Sequence, residues 1–292
     1  MNVGIIGLGI VGKSIRLAFG QHCKLFINDK KVSKYAPHSI EEVVKNCNFI
    51  FVNVPTPFNT LKNKIDTTII DIVMDNINSI SNDNQKKPIV IIKSAVVPRV
   101  VKEWLKKYLN INIIISPEFL KERSSIHDFV NQEVMILGGD RNLCKRVKRL
   151  YIENSICNKR CEVGYCTAEE AAIIKYMENS FLAVKNIFIN QFKTFYDVHF
   201  DCKENYSFNA LMDVFHLDKR MGVFNHPYRV PGPDGDFGYG GKCLPKDTQS
   251  IISEGDSQGT SMTLLKVTKI INDRIRTEKD WEKIEGAMIN EV

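Results

Sequence analysis

No stretch of the 292-residue sequence approaches the ~20 apolar residues of a membrane-spanning helix. The N-terminal MNVGIIGLG enters a strand without a charged region ahead of it, so no secretory signal is read there and the chain is expected in the cytoplasm, with no membrane partner. There is no long basic tract either. Forty Lys and Arg against thirty-four Asp and Glu give a net charge of +6, scattered along the chain apart from KK pairs. That pattern favours solubility or an anionic small ligand over a nucleic-acid track. Internal repeats and low-complexity tails are lacking. The eight cysteines include no paired CxxC, and Cys157, Cys161 and Cys166, at x3 and x4 gaps, lack a fourth ligand. In a reducing compartment such cysteines are mostly small buried side chains, and no metal centre is expected.

What is present is globular. Hydrophobic residues at 43% and charged residues at 25% are ordinary values, and the length suits one large domain or two of common size. The first half alternates short apolar runs with amphipathic segments, the pattern of a parallel sheet flanked by helices. Strands are read at NVGII, CKLFIN, NFIFVNV, PIVIIK, INIIIS and EVMIL. Small and polar residues follow them: Gly7, Asp29, the Pro55-Thr56-Pro57 turn, Ser94 and the Ser116-Pro117-Glu118 turn. In open α/β sheets ligands bind at that carboxyl edge. From Thr167 a stretch of over thirty residues without glycine or proline reads as one long helix, opened by a Thr167/Glu170 capping box. The reading is an α/β fold: a Rossmann-type doubly wound sheet over 1–165, then a mainly helical central dimerisation domain over 166–292.

Gly7-Leu8-Gly9-Ile10-Val11-Gly12 is GxGxxG between a strand and a helix, the context that makes it a dinucleotide fingerprint. Glycines allow the tight turn and close approach to pyrophosphate, and the helix N-terminus offers free N–H groups. Asp29 ends the second strand, 29 − 12 = 17 residues past the last glycine, near where an acid hydrogen-bonds a ribose 2′-hydroxyl and repels a 2′-phosphate. NAD is therefore expected over NADP, although Lys30 and Lys31 would tolerate the extra phosphate.

Lys175 and Asn179 are four apart on the long helix and project from one face. Facing a nicotinamide, a lysine and a carboxamide bind an alcohol oxygen and stabilise the alkoxide formed as hydride leaves. Later, in FGYGGKCLPKD, Cys243 is followed by Lys246 and Asp247. A thiolate there adds to an aldehyde, and a second hydride transfer from the thiohemiacetal gives a thioester for hydrolysis. Lys246 or a helix start near Pro245 would lower the thiol pKa; Gly238, Gly240 and Gly241 supply backbone freedom; Asp247 holds the hydrolytic water or orients the lysine.

FGYGGKCLPKD resembles the catalytic-cysteine motif of the UDP-glucose dehydrogenases and related nucleotide-sugar 6-dehydrogenases, with GLGIVG, VPTPFN, SPEFLKE and Lys175/Asn179 in the same order over residues 1 to about 275. The resemblance implies NAD-dependent four-electron oxidation of UDP-glucose to UDP-glucuronate for a polysaccharide or glycan precursor pool. It implies Cys243 as nucleophile, Lys175 as stabiliser of the alkoxide and thiohemiacetal, Asn179 on the sugar oxygens, Asp247 in proton transfer, and Glu118 and Glu122 in the hydrolytic step. Cofactor contacts would come from Gly7, Gly9, Ile10, Val11, Gly12, Asp29, Pro55, Thr56, Ser94, Glu122 and Lys246. The UDP-sugar would meet Glu118, Phe119, Leu120, Lys121, Lys175, Asn179, Phe237, Gly240 and Gly241, with Arg220 reaching a neighbouring subunit's substrate phosphates in a homodimer.

Two departures stand out. Ala95 occupies the place of a threonine whose hydroxyl positions water in the family, which leaves Ser94 as the nearest hydroxyl. The family's C-terminal nucleotide-binding domain is absent from the sequence, so the chain reads as a minimal enzyme, a fragment or part of a split protein. Three alternatives stay open. A β-hydroxyacid dehydrogenase shares the glycine loop and the Lys/Asn pair but has no use for GGKCLPKD. A GDP-mannose 6-dehydrogenase shares the cysteine motif, and a non-catalytic NAD-binding subunit needs none of the chemistry.

Overall fold

The computed structural model describes residues 1–31, 34–84, 87–200, 207–222 and 230–290, apart from the side chain of Glu122. They form two compact units, Met1–Pro57 with Ile65–Tyr176 and Phe58–Lys64 with Met177–Val292.

The first unit is built on a seven-stranded sheet. Its strands are β1 (Asn2–Ile6), β2 (Lys24–Asn28), β3 (Phe49–Val52), β6 (Ile89–Ile92), β7 (Asn112–Ile115), β8 (Val134–Gly138) and β9 (Glu162–Cys166), in the order β2-β1-β3-β6-β7-β8-β9. Two shorter strands, β4 (Phe58–Asn59) and β5 (Lys64–Ile65), fall between β3 and β6 in the chain. β3 and β6 are apolar and buried at all four positions, as strands covered on both faces must be. The order also contains its own reversal. β2 lies on one side of β1 and β3 on the other, so the chain changes direction beside β1 and leaves a crevice past the strand ends.

Helices cover this sheet because their apolar residues recur at helical spacing. In α3 (Thr68–Asp83) the buried residues include Ile70, Val73, Met74 and Ile77, and in α4 (Pro98–Lys107) Val100, Val101 and Trp104. Helix starts are marked in the sequence. Ser39 and Glu42 form a reciprocal capping box on α2 (Ile40–Asn46), Pro98 opens α4, and Asp140 accepts the N–H groups of Asn142 and Leu143 at the start of α6 (Arg141–Asn154). The main core gathers Phe19 of α1 (Ile10–Phe19), Phe51, Phe129 of α5 (Ser125–Val130) and Tyr151, each fully or almost fully buried. Each such side chain contributes about 1.5–3 kcal/mol by leaving water.

Two features depart from the sequence reading. β9 was not anticipated: EVGYC carries a glycine and is only partly buried, so it lacks the apolar run that marks the others. It pairs in parallel with β8, and β8 in turn meets β7 antiparallel through a single bridge, Ile115 to Gly138.

α7 (Ala168–His199) is the long helix, 32 residues, and the anticipated capping box is there: Thr167 N–H donates to Glu170 Oε2 (2.8 Å) and Glu170 N–H to Thr167 Oγ1 (3.2 Å). The division between the units falls within it, at Tyr176 and Met177. The second unit is mainly helical, with the rest of α7, α8 (Phe208–Phe215), α9 (Leu244–Ser257) and α10 (Thr263–Ile275), and a small three-stranded sheet in the order β10-β4-β5, in which β10 (Met288–Ile289) runs parallel to β4. Ala183, Ile187 and Tyr239 form one small core, and Ile189, Tyr196, Phe208, Met212 and Val230 another. Among the described residues no helix is long and apolar enough to cross a membrane.

Candidate active site

In the first unit the glycine loop has the geometry its sequence requires. Gly7 leaves β1 at φ +92°, and a Cβ there would meet the Asn53 carbonyl oxygen at 2.8 Å, so only glycine fits. Gly12 packs α1 onto the loop, since a Cβ would strike the Gly7 carbonyl. Gly9, by contrast, faces open space, which leaves the backbone approachable at the N-terminus of α1. The first-turn N–H groups of a helix have no intrahelical partner and suit a pyrophosphate. Asp29 accepts from Leu8 N–H (2.6 Å) and Lys31 N–H (2.9 Å), so the acid at the end of β2 also braces the loop. A glycine cradle, an open helix start and an acid at β2 fit NAD.

The neighbouring turns are tied to one another. Thr56 Oγ1 donates to the Ala95 carbonyl (2.7 Å) and Ser94 Oγ to the Val54 carbonyl (2.7 Å). The Ser94 hydroxyl is thus engaged in joining the ends of β3 and β6, and Pro55 is exposed beside them.

Lys175, 6% exposed, donates to the Glu118 carbonyl (2.6 Å), and its ammonium lies 3.8 Å from Glu118 Oε1 and 5.5 Å from the Phe119 ring centre. Among the described residues Glu118 Oε2, which is buried, has no hydrogen-bond partner. Leu120 packs on the core, and Lys121 is exposed with its N–H donated to Asp128 (3.0 Å). Glu122 opens a short 3-10 turn, Glu122–Ser124; its side chain lies outside the described residues.

The second unit carries the cysteine. Cys243 is the residue before α9, and it is the exposed thiol among the seven described cysteines. Pro245 opens the helix, and the unpaired N–H groups of a first turn favour negative charge beside them. Behind Cys243 lies a buried polar chain. Lys246 (5% exposed) pairs with Asp247 Oδ1, and Asn179 (4%) donates its amide to Asp247 Oδ2. Asp247, 1% exposed, therefore orients both the lysine and the asparagine. Removing one partner of such a pair typically costs about 3–5 kcal/mol, because the other charge stays buried.

The segment leading into Cys243 is fastened by Arg276, at the end of α10. Its guanidinium, almost fully buried, bonds Asp234 (2.6 Å) and the Phe237 carbonyl (3.3 Å) and lies within 3.4 Å of Asp280. This pairing and backbone hydrogen bonds hold the Asp234 carboxyl below its usual range despite partial burial. Gly241, at φ +76°, donates its N–H to the Asp280 carboxylate (3.1 and 3.0 Å), and a side chain at Gly240 would collide with Arg276 and Asp280. Arg220 is exposed, in the Lys219–Met221 turn, with its guanidinium on the Asp218 carboxylate.

Two family models match in tandem: the NAD binding domain of the UDP-glucose/GDP-mannose dehydrogenase family over residues 28–154, and the central domain of the same family over 169–274. The chain belongs to this family. UDP-glucose 6-dehydrogenase of Campylobacter jejuni is 28% identical over 283 residues, covering 87% of this chain and 67% of that protein. A UDP-glucose dehydrogenase structure from Pyrobaculum islandicum superposes with a TM-score of 0.77 at 21% identity, over 94% of this chain and 68% of that one. The chain thus spans about two thirds of the length of these two proteins. A 3-hydroxyisobutyrate dehydrogenase from Mycobacterium tuberculosis also superposes, with a TM-score of 0.69 at 14% identity over 94% and 92% of the two chains. The fold alone, shared with a 3-hydroxyisobutyrate dehydrogenase, therefore assigns no role to the cysteine loop.

Sequence reasoning missed the residues that brace that loop in this family member. Arg276 and Asp280 lie over thirty positions beyond Cys243 and belong to no local motif, and only their burial and geometry reveal them.

Proposed function

We propose that the protein is a cytoplasmic NAD-dependent UDP-glucose 6-dehydrogenase that makes UDP-glucuronate for a polysaccharide or glycan precursor pool. The observation carrying this reading is an exposed Cys243 at the start of α9, backed by the buried Asp247, Lys246 and Asn179. NAD, which Gly7 to Gly12 and Asp29 would hold, would supply the hydride acceptor in both oxidations. Lys175 stabilises the alkoxide while the C6 hydroxyl gives up its proton, and Asn179 holds the same oxygen. The Cys243 thiolate adds to the C6 aldehyde, forming the S–C bond of a thiohemiacetal; loss of the second hydride leaves a thioester. Water, deprotonated with help from Glu118, attacks the acyl carbon, and the S–C bond breaks to return the thiolate. One UDP-glucose, two NAD and one water become UDP-glucuronate, two NADH and three protons.

The test is stoichiometric. Purified protein with limiting UDP-glucose and excess NAD should give two NADH per sugar by absorbance, with UDP-glucuronate found by mass spectrometry. Two NADH from GDP-mannose and none from UDP-glucose would reassign the substrate. One NADH from a β-hydroxyacid, or none from any of these while NAD binds, would overturn the reading.

A homodimer through α7 belongs to the same proposal. Phe181, Phe188, Phe192, Phe195 and Val198 recur along α7 at helical spacing and are exposed, with Leu211, Val214 and Leu217 also exposed on and after α8. Exposed apolar stripes of this length mark protein contacts, and a second copy of the stripe is the complementary surface. Phe188→Glu with Phe192→Glu should turn a dimer into a monomer in sedimentation; unchanged mass would remove α7 from the interface. Arg220 is assigned to the partner's substrate phosphates on the same proposal.

A further inference from the structure

Lys93 is a buried titratable group that the chemistry above does not use. It follows β6 directly, is 3% exposed, and its N–H continues the sheet by donating to Val52 (2.9 Å). Its ammonium donates to Ser116 Oγ (3.2 Å) and lies 5.8 Å from the Phe129 ring centre, in the main core of the first unit. An ammonium in such surroundings is costly unless a partner or a task holds it there.

Ser116 points to the task. It is fully buried at the end of β7 and is the first residue of the Ser116-Pro117-Glu118 turn. The turn is gripped at both ends by lysines: Lys93 at the Ser116 hydroxyl and Lys175 at the Glu118 carbonyl (2.6 Å). Between them the Glu118 carboxylate has one oxygen 3.8 Å from Lys175 Nζ and the other buried without a hydrogen bond among the described residues. With so little direct bonding, its orientation depends on the turn beneath it and on the surrounding charge.

We propose that Lys93 is a positioning residue, which fixes the Ser116-Pro117-Glu118 turn and so holds the Glu118 carboxylate in place beside Lys175. This rests on the reading of Glu118 as the group that activates the hydrolytic water. Burial pulls Lys93 down to about 8, working with the charge of Lys175 and against Glu118, Cys157 and Cys161, which are the charged and titratable groups that face it. Below that pH the ammonium donates to Ser116 and opposes the Glu118 charge; above it the second cation is gone. Turnover should therefore fall as pH rises through about 8.

Stability takes the opposite sign. With the folded value below the ordinary 10.5, the unfolded chain holds more protons between about 8 and 10.5, so Lys93 makes the fold more stable as pH rises through that window. Below it, the cost of the buried charge is present in full. Lys93→Met should raise the Tm at pH 7, by an amount that shrinks towards pH 10, while lowering activity. A lysine kept for stability alone would do the reverse.

The experiment compares wild type, Lys93→Met, Lys93→Arg, Glu118→Gln and the Lys93→Met/Glu118→Gln double variant. With UDP-glucose and NAD at pH 7, Lys93→Met should lower kcat about tenfold with KM changed less than about twofold, and should lose the alkaline limb. Lys93→Arg should recover most of kcat and move the limb upward. Glu118→Gln should cost less kcat in the Lys93→Met background than in wild type. Wild-type kcat and limb in Lys93→Met, or independent multiplication of the two losses, would overturn the proposal. If wild type gives no NADH from UDP-glucose, the catalytic reading fails on its own, and Tm decides for Lys93. Non-additive Tm changes for Lys93→Met and Glu118→Gln would support the coupling, and additive ones would end it.

Discussion

Cys243→Ser should bind NAD and UDP-glucose as the wild type does and form UDP-glucuronate at least about a thousandfold more slowly. The size of this effect follows from the chemistry of sulfur. A thiol is ionised to a useful extent near neutral pH and its anion is a strong nucleophile, whereas a serine hydroxyl needs an adjacent base. The side chains behind Cys243 do not offer one. Lys246 is turned to Asp247, and Asp247 is bound by both Lys246 and Asn179, so the carboxylate nearest in sequence is committed. The N-terminus of α9 beside Cys243 favours an anion but does not remove a proton from a serine hydroxyl. Because Cys243 is exposed and lies outside the small cores of its unit, the variant should melt within a few degrees of wild type. Quenched-flow product analysis separates the steps: NADH or aldehyde without acid is the expected pattern. Acid production at the wild-type rate would remove the thioester from the mechanism.

How much of this was legible in the sequence depended on distance along the chain. Gly7 to Gly12, the Thr167/Glu170 cap and the glycine-free α7 are local signals, and the structure has each where the spacing puts it. The polar residues after successive strands were legible too, because the strands end within three residues before Asp29, Pro55, Ser94 and Ser116. What those residues do was not. Asp29 reads as a ribose acceptor, yet it also holds Leu8; Ser94 reads as a stand-in for a missing threonine hydroxyl, yet it bonds Val54. Such pairings join residues 21 and 40 positions apart and leave no periodicity behind. The same holds for Lys93 with Ser116, Arg276 with Asp234, and the two-residue pairing of β4 with β10, which is too short to show a pattern. The glycines of the cysteine loop illustrate the limit from the other side. Their flexibility was evident, but Gly241 spends its N–H on Asp280, and Gly240 is small because Arg276 passes beside it.

Lys175→Met should lower kcat for both oxidations by about 10²–10³, the usual effect of losing a donor aimed at a developing oxyanion. Lys175 suits that role because it is buried, and because its bond to the Glu118 carbonyl fixes the direction of its ammonium. Lys175→Arg should rescue little, since a planar guanidinium cannot reproduce a point charge seated over Phe119 and against that carbonyl. Stability should fall as well. Without the lysine, the Glu118 carboxylate stays largely buried with one oxygen already lacking a hydrogen bond, which is the costly half of a broken ion pair. Adding Glu118→Gln removes that charge, so the double variant should regain Tm and remain inactive. This separates the two duties of Lys175. Recovery of turnover together with Tm would mean that the lysine only holds the fold, whereas recovery of Tm alone leaves it as the group that carries the alkoxide.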